Sequence, residues 1–78
     1  MTDNHPKSLL DTSDLLCPLP VLKARKRLQS LASGSVLEVV ATDPMSMIDM
    51  PHFCNEQGHT LLSQATVGKT FIFRIKRK

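Results

Sequence analysis

The stretch "LLCPLPVLKARKRL" places Cys17 directly before two closely spaced prolines and a segment with a helical pattern. Proline is favoured at the first position of a helix, where its missing N–H would have had no partner. The sequence therefore predicts a helix that begins at Pro18 and has Cys17 as its N-cap, with the N–H groups of Leu19 and Val21 free to face the sulfur. The helix dipole adds about half a positive charge at that end, which favours a thiolate over a thiol. We expect Cys17 to be a nucleophile supported by the helix N-terminus, formed by Pro18, Leu19, Pro20 and Val21.

The residues around Cys17 are compatible with more than one kind of thiol site. The leucines before it allow the simpler interpretation that it is a small buried hydrophobic residue. A Cys-x-x-Cys redox motif is excluded because position 20 is proline. A cysteine–histidine hydrolase would have His52 and His59 as possible bases, but a chain of 78 residues offers little room for a substrate cleft. A single activated thiolate on a small carrier suits covalent transfer of a group.

Four cations follow Cys17 on the same predicted helix: Lys23, Arg25, Lys26 and Arg27. Lys23 and Arg25 favour the thiolate electrostatically. The four cations together are typical of a docking surface for an acidic protein, of a phosphate-binding surface, or of a solvated helix face. The chain has a net charge of +3 but only three phenylalanines and no tyrosine or tryptophan. Because single-strand binding depends on aromatic stacking, direct binding of nucleic acid is disfavoured. We assign the four cations to partner docking.

The second cysteine, Cys54, lies in the second predicted helix. Free cysteines are frequently buried, so we expect Cys54 in the core; a second redox-active thiol is the alternative. His52, Cys54 and His59 are too few for the dense cysteine and histidine pattern of a zinc site. We therefore predict no metal and no cofactor, and a hydrogen-bonded structural role for His59.

Hydrophobic periodicity and turn residues divide the chain into six elements. Residues 1–6 are polar and predicted to be disordered, and residues 7–78 are predicted to form a single domain. The predicted elements are a strand over 7–11, a helix over 18–32 ended by Gly34, a strand over 35–42, a helix to Gln57 closed by Gly58, and strands over 59–66 and 70–76 joined at 67–69. Because Pro51 cannot lie in a helix interior without cost, the second helix either starts near Asp49 with Pro51 in its first turn or is kinked after an earlier turn. We favour an irregular first turn followed by a regular helix. Residues Leu37, Val39 and Ala41 are predicted to share one face of their strand.

The order β-α-β-α-β-β predicts an α/β fold with a mixed four-stranded sheet and two helices on one face. No run approaches the roughly 18 apolar residues needed to cross a bilayer, and the N-terminus lacks the apolar region of an export signal. Two cysteines are also too few for a disulfide scaffold. We therefore expect a cytoplasmic protein with reduced thiols and no membrane partner.

Taken together, these features resemble the TusA family of small sulfur carriers, also called SirA-like or YhhP-like proteins. The similarity extends over about residues 8–77 and rests on motifs that occur in the family's order. These motifs are Cys17-Pro18-Leu19-Pro20, "LD" at 10–11, "VLKARKRL" at 21–28, "DP" at 43–44, "DMPHFC" at 49–54 and "GH" at 58–59. The chain departs from the family at Asp14, where glycine is usual three residues before the cysteine. Asp14 also brings a negative charge near the thiol.

The resemblance implies a two-layer α/β sandwich and a persulfide relay. Cys17 would accept sulfur as a persulfide from a donor such as a cysteine desulfurase and pass it to an acceptor protein, in tRNA thiolation or related sulfur metabolism. Such a monomeric carrier acts with partner enzymes rather than as a stand-alone enzyme. The alternative is a small basic module with a nucleic-acid-binding or regulatory role. In that case the thiol of Cys17 would be incidental.

Overall fold

The computed structural model describes residues 7–78, so the predicted disordered segment 1–6 lies outside the described residues. The predicted order of elements is confirmed. The elements are β1 (Lys7–Thr12), α1 (Leu19–Gln29), β2 (Val36–Ala41), α2 (Ser46–Gln57), β3 (Thr60–Val67) and β4 (Thr70–Lys76). Neither described helix is long or apolar enough to cross a bilayer.

The four strands form one mixed sheet in the order β1-β2-β4-β3. Strands β1 and β2 are parallel, which requires a crossover through α1, and the other two pairs are antiparallel. Both helices pack on the same face of the sheet, which confirms the predicted fold class. As predicted, Leu37, Val39 and Ala41 of β2 are buried on that face. The remaining core residues are Ala24, Leu28, Met50, Phe53, Cys54, Phe73 and Ile75.

Helix α1 is shorter than predicted at both ends. It begins at Leu19 with Pro18 as N-cap, so Cys17 lies one residue before the cap. It ends at Gln29 because the Ser30 hydroxyl donates to the Arg27 carbonyl at 2.7 Å and the Ser30 N–H donates to the same oxygen at 3.0 Å. Gly34, predicted to end the helix, instead lies in the turn before β2 with a φ of +87°.

Helix α2 begins at Ser46, so the alternative of a start near Asp49 is wrong. The irregular first turn is present: the N–H groups of Met47 and Ile48 donate to carbonyls three residues back, at 3.1 and 3.0 Å. Asp43, rather than Pro51, determines the start, since its carbonyl accepts the Ser46 N–H at 2.9 Å. Pro51 lies inside the helix.

Glycines close the last two connections. Gly58 is the C-cap of α2 with a φ of +79°, as predicted. Gly68 and Lys69 form the two-residue loop between Val67 and Thr70, which pair across the hairpin. The predicted bounds of β4 are confirmed, and β3 is displaced by one residue.

Candidate functional site

Cys17 is exposed and lies where the segment before α1 meets the first turns of α2. Its N–H donates to Asp43 Oδ2 at 2.6 Å, and its Sγ lies 2.8 Å from Asp49 Oδ2. Asp43 is buried and also accepts the N–H of Met45 through Oδ1 at 3.1 Å. The Asp43 side chain therefore links the backbone of Cys17 to the beginning of α2, which brings Asp49 to the sulfur.

The turn before Cys17 uses Asp14 in a conformation that glycine adopts readily. Its φ is +68°, and its N–H donates to Thr42 Oγ1 at 2.8 Å. Aspartate is one of the few residues that tolerate positive φ. The carboxylates that act on the Cys17 thiol are Asp49 and Asp43, so the charge expected from Asp14 is not among the causes that raise the thiol pKa.

The expectation that the helix start makes Cys17 a thiolate is wrong for this conformation. The hydrogen bond to Asp49 raises the pKa of the Cys17 thiol above its ordinary value, and a slight loss of hydration and the charges of Asp49 and Asp43 raise it further. The N–H of Leu19, predicted to face the sulfur, donates to the Leu16 carbonyl at 2.9 Å. In this state Cys17 is a thiol that donates a hydrogen bond to a carboxylate.

A shallow cavity of about 350 Å³ opens beside the Cys17 sulfur. Its remaining lining residues are Pro18, Val21, Asp49, His52, Phe53, Glu56 and Gln57. The floor is apolar and the rim is acidic, with His52 Nε2 lying 3.9 Å from Glu56 Oε2. Of the four predicted supporting residues, Pro18 and Val21 line this cavity. Leu19 is exposed, and Pro20, in the first turn of α1, is buried. The cavity has room for a sulfur atom added to Cys17 or for the cysteine side chain of a partner.

The four predicted docking cations do not share one surface. Lys23, Lys26 and Arg27 line a second groove of about 340 Å³, together with Leu10 and Ser30, between α1 and β1. We call this the basic groove. Arg25 is two residues from both Lys23 and Arg27, about 200° around the helix, and does not line it. None of the four lines the cavity beside Cys17.

Exposed leucine, methionine and isoleucine side chains flank the cysteine in the chain and at the start of α2. They are Leu16, Leu19, Leu22, Met45 and Ile48. Exposed apolar side chains near a reactive group are typical of a surface that another protein covers. The alternative interpretation, in which the preceding leucines bury Cys17, is wrong, because Leu16 is itself 69% exposed.

Cys54 and His59 have the predicted structural environments. Cys54 is buried, and burial raises the pKa of its thiol to about 11. The His59 Nδ1 accepts the N–H of Lys78 at 3.1 Å, and its ring centroid lies 5.7 Å from that of Phe53. Within residues 7–78 no three histidine, cysteine or acidic side chains come close enough together to hold a metal ion.

Asp43 and Asp49 are the site residues that sequence reasoning missed. Both lie in motifs that carry the family resemblance, "DP" at 43–44 and "DMPHFC" at 49–54. Those motifs were the available signal, but nothing in their spacing links them to a cysteine that lies 26 and 32 residues earlier.

Comparisons with known proteins identify the family and the fold. Residues 8–77 match the family described as sulfurtransferase TusA. A protein of Pseudomonas putida named sulfur carrier protein TusA is 44% identical over 78 residues, covering 100% of this chain and 98% of its own length. One of the same name from Allochromatium vinosum is 46% identical over 68 residues, covering 87% of this chain and 90% of its own. The crystal structure of a SirA-like protein from Desulfitobacterium hafniense has a TM-score of 0.78 at 21% identity, covering 87% of this chain and 93% of that one.

Proposed function

This chain belongs to the TusA family, and we propose that it is a sulfur carrier that holds its sulfur as a persulfide on Cys17. The observation that carries the proposal is the exposed Cys17 sulfur at the mouth of a cavity that can accommodate one more sulfur atom. The name shared by its full-length relatives supports the same role.

The proposed reaction is the transfer of a sulfane sulfur without net oxidation. Cys17 gives up its proton, its sulfur attacks the terminal sulfur of a donor persulfide, and the donor S–S bond breaks. The donor leaves as a thiolate and takes up a proton, and Cys17 becomes Cys17–S–SH. An acceptor thiolate then attacks the terminal sulfur and releases Cys17 as a thiol. The carrier takes part in each transfer but needs a partner at both ends, so it acts as a sulfurtransferase component.

We propose that the donor is a protein such as a cysteine desulfurase and that the acceptor is a second protein of a sulfur relay, serving tRNA thiolation or related sulfur metabolism. The exposed apolar side chains around Cys17 and the basic groove support docking of proteins with an acidic surface. The proposed compartment is the cytoplasm, because Cys17 must remain a free thiol to accept sulfur.

Intact mass spectrometry tests the function directly. After incubation with a cysteine desulfurase and cysteine, the wild-type chain should gain the mass of one sulfur atom, and a reductant should remove it. Cys17→Ser should gain nothing, whereas Cys54→Ala, the control that keeps the exposed thiol, should load like the wild type. No gain by the wild type, or a gain by Cys17→Ser, would contradict the proposal.

The same measurement separates the carrier from a basic binding module in which the thiol is incidental. The basic groove contains no aromatic side chain on which a base could stack, which disfavours binding of a single strand there. A binding module would not acquire sulfur on Cys17.

A further inference from the structure

We infer that Asp49 biases the carrier towards releasing its sulfur, by stabilising the empty Cys17 thiol relative to the loaded persulfide. The inference rests on the proposed function and assigns Asp49 a role in it. Asp49 contacts the reacting sulfur directly, and its contact differs between the two states of the carrier.

In the empty state Sγ itself donates a hydrogen bond, which it cannot do once the second sulfur is attached. In the thiol, Sγ carries a proton and lies 2.8 Å from Asp49 Oδ2. Hydrogen bonds to an ionised acceptor are stronger than those between neutral groups. In Cys17–S–SH the Sγ atom is bonded to carbon and to the second sulfur and carries no proton. Loading therefore breaks this bond whatever conformation the persulfide adopts.

The charges around the sulfur act in the same direction. A hydropersulfide is more acidic than the parent thiol, so the terminal sulfur is more often an anion near neutral pH. It enters a site where Asp49 and Asp43 already act on the sulfur and Glu56 lies on the cavity rim. His52 is the cavity-lining residue that can become a cation, because the described cations of α1 do not line this cavity. Like charges in one site disfavour the second anion.

The exchange that measures this bias is GS–SH + Cys17–SH ⇌ GSH + Cys17–S–SH, with glutathione as the small thiol. One S–S bond breaks and one forms, and no oxidant or reductant is consumed. The equilibrium constant of this exchange depends only on its reactants and products, and the glutathione species are the same for every variant. Differences between variants therefore report only the empty and loaded states of Cys17. Asp49 can change the constant only by favouring one of those states.

The experiment equilibrates the wild type, Asp49→Asn, Asp49→Glu and Asp14→Asn with mixtures of glutathione persulfide and glutathione at several pH values around neutrality. Intact mass gives the loaded fraction. Asp49→Asn should raise the loading constant about tenfold, and Asp49→Glu, which keeps the charge, should stay close to the wild type. Asp14→Asn is the matched control: it removes an exposed carboxylate near the same loop, and asparagine tolerates a φ of +68°. It should change the constant by less than about twofold.

A second readout uses the same proteins without any sulfur donor. The pH profile of Cys17 alkylation should move to lower pH in Asp49→Asn, because the thiol loses its hydrogen bond to a carboxylate, and should stay unchanged in Asp14→Asn. Circular dichroism checks that each variant keeps the fold.

The outcomes are distinguishable. Equal loading constants for the wild type and Asp49→Asn would overturn the inference, even if the alkylation profile shifted. A wild type that takes up no sulfur on Cys17 would refute the proposed function, and the inference with it. If the wild type takes up sulfur on Cys17, and Asp49→Asn is the only variant with a higher loading constant, the result supports both the proposed function and the inference.

Discussion

The thiol of Cys17 experiences two opposing influences, and distance decides which one is stronger. A helix N-terminus contributes about half a positive charge that is spread over its first turn. Asp49 contributes a full negative charge in direct contact with the sulfur, and Asp43 contributes a second one at the adjacent N–H. The resting residue is consequently an accessible thiol rather than an activated thiolate. The proposed sulfur transfer through Cys17 therefore requires that the thiol lose its proton when a partner binds.

Exposure alone should make Cys17 the reactive cysteine. Native protein treated with iodoacetamide at neutral pH should be alkylated on Cys17 at least tenfold faster than on Cys54, because Cys54 is buried and its pKa is about 11. Peptide mapping gives the two rates, and denatured protein, in which both thiols are exposed, serves as the control. Equal or reversed rates in the native protein would contradict the described positions of the two thiols.

Replacing the reactive thiol should leave the fold intact. In Cys17→Ser the hydroxyl can donate to Asp49 as the thiol does, and the backbone bond to Asp43 is unaffected. We expect the free energy of unfolding to change by less than about 0.5 kcal/mol, the range of most surface substitutions. Denaturant unfolding measures it, and a larger loss would mean that the sulfur has a packing role that the structure does not assign to it.

The buried thiol should make the protein less stable in alkaline solution. The native pKa of Cys54 is raised from 9.0 to about 11, so the unfolded chain loses this proton first as the pH rises. The contribution to the free energy of unfolding is complete below about pH 9 and declines towards about pH 11. The stability difference between the wild type and Cys54→Ala should therefore narrow across that interval. A difference that stays constant would indicate that burial does not hold the proton on Cys54.

At the scale of elements, α1 separates two surfaces of different charge. Its N-terminus opens onto the acidic cavity beside Cys17, and its flank facing β1 forms the basic groove. A partner with an acidic surface can therefore be attracted to α1 without placing its cations on the thiol. This separation gives Lys26 and Arg25, adjacent in sequence, different expected roles.

Reversing one charge on each side of α1 tests that separation. Lys26→Glu should slow transfer from a protein donor about threefold to tenfold at low ionic strength, because exposed charges affect the rate of encounter. Arg25→Glu, the matched control outside the basic groove, should have a smaller effect. The loss should shrink in high salt, where the Debye length falls below about 8 Å. Loading rates from glutathione persulfide should be unchanged.

Two results would contradict docking through the basic groove. One is an equal effect of the Lys26 and Arg25 reversals on the protein donor. The other is a Lys26→Glu variant whose loading rate falls equally with the protein donor and with glutathione persulfide. That result would mean that the charge acts on the thiol itself.

The end of α2 depends on a residue that tolerates a left-handed conformation. Gly58 has a φ of +79°, and its N–H donates to the Cys54 carbonyl. Gly58→Ala should lower the free energy of unfolding by about 1 kcal/mol, and Gly58→Asn by less. A Cβ at this position would meet the flexible Lys78 side chain at 3.4 Å, so the backbone angle accounts for the cost. Gln57→Ala, one residue earlier on the exposed side of the helix, should have little effect.

For the whole molecule, the sequence predicted the elements and their order but not the contacts between distant segments. The alternation in β2 is a local pattern, and it identified the buried face of that strand correctly. Helical periodicity also separates Arg25 from Lys23 and Arg27, but the position of the groove depends on where β1 packs.

The residues that sequence reasoning misassigned are those whose partners lie far along the chain. Asp43 and Asp49 reach Cys17 only after α2 packs beside the start of α1, so no local pattern indicated that the thiol would be held protonated. The local pattern predicts that Gly34 ends α1, yet the Gly34 N–H donates at 2.9 Å to the carbonyl of Arg77, near the other end of the chain. Local propensity cannot report such contacts.

Arg77 and Lys78, the two residues after β4, join three parts of the fold. Arg77 Nε donates to the Leu28 carbonyl at the end of α1 at 2.7 Å, and the Arg77 N–H donates to the Ser35 carbonyl before β2 at 2.8 Å. The Lys78 N–H donates to Nδ1 of His59, between α2 and β3. An imidazole that accepts this bond through Nδ1 must be unprotonated at that atom. Protonation of His59 therefore breaks one of these links.

Acidification should weaken the protein through His59. Partial burial and the neighbouring charges of Lys78 and Arg77 lower the pKa of His59 below 6.5, so the unfolded chain binds the proton first as the pH falls. The stabilisation is complete above about pH 6.5 and declines through the lowered pKa. His59→Asn, which keeps an acceptor but does not titrate, should lose less stability than the wild type below pH 6.5. Denaturant unfolding at several pH values measures this difference. Identical pH dependence in the wild type and His59→Asn would mean that the link to Lys78 does not respond to protonation.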